Sequence, residues 1–122
     1  MSRDETPLNP VLVEQQIQEL ANAIARGIPI VSDAEKAMVE AKRHLDREVA
    51  HATLEATGTV MDRQAQVELE TQAAREEYDL AYVAYRHAER TAKSLESRLR
   101  ALQSVGASVR SMYGVAGRGE GS

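Results

Sequence analysis

Six cations near the C-terminal end, Arg86, Arg90, Lys93, Arg98, Arg100 and Arg110, carry the chemistry that is most readily named. Arg86, Lys93 and Arg100 recur every seven residues, so a helix holds them on one side with about 10.5 Å between successive members, and Arg90 falls between two of them. Arg98, Arg110 and Arg118 extend the positive charge toward the C-terminus. Such a stripe can track a phosphate backbone by salt-dependent attraction that is largely indifferent to base sequence. The plainer alternative is a solvated helix face on which Arg86 and Arg90 flank Glu89. Tyr82 and Tyr113 are the tyrosines left to stack on bases, because Tyr78 and Tyr85 fall on an apolar stripe.

Other reactive arrangements are sparse. His44, Glu48 and His51 lie along one side of a helix at i, i+4 and i+7, but no further ligand for a metal is signalled. The paired acids Glu68 and Glu70, and Glu76 and Glu77, fall on exposed helix, where carboxylates keep ordinary acidity. The glycines cluster after the last helix rather than before one, which argues against a phosphate-cradling loop. With no Cys, thiolate chemistry, disulfides and cysteine-ligated zinc are excluded. No catalytic residue, metal site or cofactor is expected, and the chain reads as non-enzymatic.

Charge is distributed unevenly along the 122 residues. Residues 1–85 hold eight Lys/Arg against sixteen Asp/Glu, whereas residues 86–122 hold seven against three. An acidic front and a basic rear suit either polyanion binding at the rear or charge pairing between copies. There is no Phe, no Trp and only four Tyr, so a bulky core is out of reach, and the Ala-, Leu-, Glu- and Arg-rich composition favours helices. No apolar run reaches membrane-spanning length and Met1–Glu5 lacks a signal-peptide core, so a cytoplasmic location is expected.

The elements that would position the stripe follow from caps and periodicity. Residues 1–8 read as a flexible lead, 9–113 as a single helical domain and 114–122 as a flexible Gly-rich tail. Asn9 caps a short first helix with Pro10 at its first position; Val13, Ile17, Leu20 and Ile24 form its stripe, and Gly27 and Pro29 end it. Ser32 and Glu35 form a capping box for a second helix that ends at Thr57-Gly58. Thr59 to Asp62 resembles a second such box, and from there to Tyr113 there is no Pro and only one Gly. The third helix would then span roughly 78 Å against roughly 36 Å for the second. An antiparallel hairpin leaves its distal part for the first helix, for other copies, or for a bend.

The third helix carries an unbroken alternation of four- and three-residue spacings: Ala74, Tyr78, Ala81, Tyr85, Ala88, Ala92, Leu95, Leu99, Leu102, Gly106, Val109 and Tyr113. A sustained 3.5-residue repeat requires partner helices. Tyr82, Ala84, Val105 and Met112 widen the face, which points to an all-α, coiled-coil-like homo-oligomer joined through Tyr78, Tyr85, Leu95, Leu99, Leu102, Gly106, Val109 and Tyr113; a monomeric three-helix bundle is the alternative. Gly106 costs about 1 kcal/mol relative to Ala inside a helix. Either another backbone approaches it, or the helix bends there, or it is a tolerated residue near a fraying end.

This layout resembles the UvsY-like recombination mediators among the small helical proteins of tailed bacteriophages. The resemblance rests on a charged helix, a Gly-containing turn, a longer helix and the small-residue stretch Ala101 to Tyr113, and covers roughly residues 34–120. It implies a ring-like homo-oligomer that binds single-stranded DNA and helps load a recombinase in place of a single-strand-binding protein. The sequence differs from that pattern in being acidic and Ala-rich, without Trp. The competing function is an oligomeric coiled-coil structural or scaffolding protein, such as one of a phage particle, that binds no nucleic acid.

Overall fold

The computed structural model describes residues 9–121; the expected flexible lead at 1–8 lies outside them. Three helices make up these residues: α1, Pro10–Glu55; α2, Val60–Glu70; and α3, Gln72–Gly121. The architecture is an all-α hairpin with a long C-terminal helix.

The largest departure from expectation is in α1, which runs unbroken through Gly27 and Pro29 where two helices had been expected. Asn9 caps it, its Oδ1 accepting from the Leu12 N–H at 2.9 Å. A glycine and a proline inside a helix oppose it by about 1 and about 3 kcal/mol. What overrides them is a face to bury. Val13, Ile17, Leu20, Ile24, Gly27, Val31, Ala34, Met38, Ala41, Leu45, Glu48 and Ala52 keep alternating four- and three-residue spacings across the proline, and every one is half-buried or buried. Pro29 itself is exposed, as are Ser32 and Glu35, whose expected capping box is not formed inside the helix.

The turn follows the local chemistry of its residues. Gly58 takes φ +100°, a left-handed conformation suited to glycine. Thr59 caps α2: its Oγ1 accepts from the Asp62 N–H at 3.1 Å while Asp62 Oδ2 accepts from the Thr59 N–H at 3.2 Å. Gln66 grips the turn at two points, donating to the Thr57 carbonyl at 2.8 Å and accepting from the Thr57 N–H at 3.2 Å.

The expected single third helix is interrupted at Thr71. Its hydroxyl donates to the Val67 carbonyl at 2.7 Å, the same oxygen that its N–H reaches at 3.0 Å, and accepts from Arg75 Nη2 at 3.1 Å. A side chain that competes for backbone partners offers the chain an alternative to the helical ladder. Thr71 is fully buried, with backbone angles of −100° and 6°. At the other end α3 continues to Gly121, beyond the expected stop at Tyr113 and through the stretch expected as a tail.

Contacts divide the described residues into two compact units. One joins the residues up to Gly27 to those from Thr91 on, and the other is Ile28–Arg90. Within each, α1 lies against the seam of α3, so the partner of that seam is in the same chain. Eleven of the twelve seam positions, Ala74 to Val109, are half-buried or buried, and Tyr113 is 53% exposed. The expectation that the second helix would be too short to cover the third fails because α1 is a single helix of 46 residues.

Candidate nucleic-acid interface

The 3.5-residue register of α3 determines which cations share a side. In the unit containing Thr91 onward, Lys93 and Arg100 occupy equivalent positions pointing away from α1, while Arg98 falls on the opposite flank of the seam. Arg98 lines a groove of about 700 Å³ with Gln16, Glu19 and Leu20 of α1. Arg110 reaches across to α1, its Nη1 donating to Glu14 Oε1 at 2.9 Å. An exposed pair of this kind stabilises the fold by at most about 1 kcal/mol, but it occupies the guanidinium.

In the unit Ile28–Arg90, Arg86 is similarly engaged. Its Nη1 donates to the Tyr82 hydroxyl at 3.0 Å, its Cζ stands 5.9 Å from the Tyr82 ring centroid, and Glu89 Oε1 lies 3.9 Å from its Nε. Tyr82 also stands against Tyr78, with centroids 6.2 Å apart. The Tyr85 hydroxyl donates to Glu89 Oε2 at 3.0 Å; that bond, then burial, holds its pKa above the ordinary tyrosine value. On α1, Lys42 Nζ donates to Asp46 at 2.8 Å, which raises its pKa, and stands 6.0 Å from the Tyr78 ring centroid.

The six-cation stripe is therefore divided. Arg86 and Arg110 are committed to partners within their units, whereas Arg90, Lys93, Arg98 and Arg100 are exposed with no carboxylate within 4 Å among the described residues. What the sequence reading missed is the company that Lys93 and Arg100 keep. Ser94, Ser97, Ser104, Ser108 and Ser111 share the outward side of α3 with them, all exposed. Glu96, the one acid between Thr91 and Gly114, lies on the flank toward α1. The heptad register contained this information, since it places all seven residues opposite the seam.

Gly106 is buried because α1 approaches it. A Cβ there would stand 3.1 Å from Val13 Cγ1 and 3.5 Å from Ile17 Cδ1, so what comes close to Gly106 is side chains of α1 rather than another backbone. Gly106→Leu should lower stability by about 1–3 kcal/mol through overpacking. Gly106→Ala should be nearly neutral in thermal unfolding, because about 1 kcal/mol of helix propensity opposes the crowding of Val13. A stabilising Gly106→Leu would refute the contact.

Among the described residues, His44, Glu48 and His51 do not join any cluster of three or more His, Asp or Glu placed to hold a metal. No described helix is long and apolar enough to cross a membrane. Compared with protein-family models, curated proteins and solved structures, the chain shows no match.

Proposed function

We propose that the chain is a non-enzymatic accessory protein of DNA recombination or replication that holds single-stranded DNA along the outward side of α3. One observation carries this reading: between Thr91 and Gly114 that side presents Lys93, Arg100 and five serines, and no carboxylate. Cations supply salt-dependent attraction to phosphates, and hydroxyls donate to phosphate oxygens without reading bases. The resemblance to UvsY-like mediators points the same way and adds a recombinase and a single-strand-binding protein as partners.

The test is fluorescence anisotropy with a labelled single-stranded oligonucleotide. With two to four phosphates neutralised, log affinity should fall against log salt with a slope of about −1.4 to −2.8. Lys93→Glu with Arg100→Glu should weaken binding and flatten the slope by about 1.4. Absence of binding at low salt, or a double variant that binds like the parent, would remove this reading. A structural or scaffolding coiled-coil protein is the second reading, favoured by exposed Met61 and Leu69 on a helix, α2, that buries no residue.

A further inference from the structure

An 11-residue helix is marginal alone and is ordinarily held by the apolar face it buries. α2 buries no residue. On the side opposite Met61 and Leu69, Val60, Arg63 and Val67 recur at helical spacing, and that side borders a cleft of about 470 Å³ within the unit Ile28–Arg90. Three parts of the hairpin build the cleft: Ala56 just after α1; Val60, Arg63, Val67 and Glu68 on α2; and Arg75 on α3. Its volume falls in the range of about 300–1,000 Å³ that small-molecule sites occupy.

Both ends of α2 are tied down around this space. The Thr59–Asp62 capping box and the Gln66 clamp on Thr57 hold its start, and at its end the buried Thr71 hydroxyl accepts from Arg75 Nη2 at 3.1 Å. That bond orients the Arg75 guanidinium and leaves its Nε and Nη1 for another partner. Neither Arg63 nor Arg75 has a carboxylate within 4 Å among the described residues. Glu68 is the one acid in the lining, so two cations less one anion give the lining a net charge of +1.

We infer that the cleft under α2 is a binding site for a small amphiphilic monocarboxylate, an apolar chain or ring that bears one carboxylate. Ala56, Val60 and Val67 take the apolar body, and the guanidinium forks of Arg63 and Arg75 take the carboxylate, whose geometry they match. One negative charge balances the lining. The ligand also gives α2 the apolar partner it lacks, so occupancy and the stability of α2 are linked. This inference is independent of the DNA reading and is tested without nucleic acid.

The probe is decanoate, titrated calorimetrically into the full chain at low salt, with decanol as the uncharged control. One decanoate per chain should bind saturably, more weakly as salt rises, and decanol should bind less well. Arg63→Gln, at an exposed position where circular dichroism should show the parent's helicity, should weaken binding by about tenfold. Glu68→Gln should tighten it by about two- to fivefold, because it removes a repelling charge. Hydrogen exchange should slow in residues 60–70 when decanoate is bound. No saturable binding, or decanol binding as tightly as decanoate, would overturn the site. Binding that Arg63→Gln leaves unchanged, or that leaves exchange in α2 unchanged, would place decanoate elsewhere and overturn it too. Attachment to phosphatidylglycerol vesicles without binding of free decanoate would overturn it in favour of a membrane surface.

Discussion

Pro29→Ala should stabilise the chain by about 2 kcal/mol and raise its thermal midpoint by roughly 8 °C. The proline lies inside α1, where it removes one backbone hydrogen bond and crowds the carbonyl four residues earlier, a penalty of about 3 kcal/mol. Part of that gain is offset because proline also restricts the unfolded chain, by about 0.4–1 kcal/mol. The side chain is exposed, so replacement disturbs no packing. Helicity distinguishes the two ways of reading Pro29. If α1 is continuous, the folded ellipticity at 222 nm should hardly change while the midpoint rises; a large increase in ellipticity would mean that Pro29 separates two helices in the parent.

Leu45→Ala should destabilise by about 3 kcal/mol in urea or thermal unfolding. The strictly buried apolar side chains among the described residues are Val13, Ala41, Leu45, Ala52, Ala74 and Val109, and Leu45 is the largest of them. A domain of ordinary stability has about 5–15 kcal/mol in total, so one deletion removes a large share. Leu54, 85% exposed, provides the control, and Leu54→Ala should change stability by less than about 0.5 kcal/mol. Equal losses for the two variants would contradict the assignment of α1's inward face.

The inward faces were legible in the sequence to different degrees. Spacing alone identified the seam of α3 from Ala74 to Val109, because a period of 3.5 needs no knowledge of the partner. The same period in α1 runs through Gly27 and Pro29, where local breaker chemistry points to a stop, although a buried face many residues long outweighs one proline. Thr71 lacks any such signal: a threonine within helix-favouring residues shows its competing hydrogen bonds only once Val67 and Arg75 are in place. At the candidate interface, the register already separated Arg98 from Lys93 and Arg100. The loss of Arg110 to Glu14 was not legible, because nothing in sequence joins residues 96 positions apart.

That separation also bears on the order in which the chain assembles. The Thr57–Gln66 clamp closes a loop of 9 residues, whereas the Glu14–Arg110 bond closes one of 96. From an open chain, the longer closure costs about 2 kcal/mol more in entropy. Once the turn and the pairs next to it are formed, each further pair extends a boundary already in place. The hairpin is therefore expected to zip from Gly58 outward, and the end bearing Lys93, Arg100 and the Gly106 contact takes shape last.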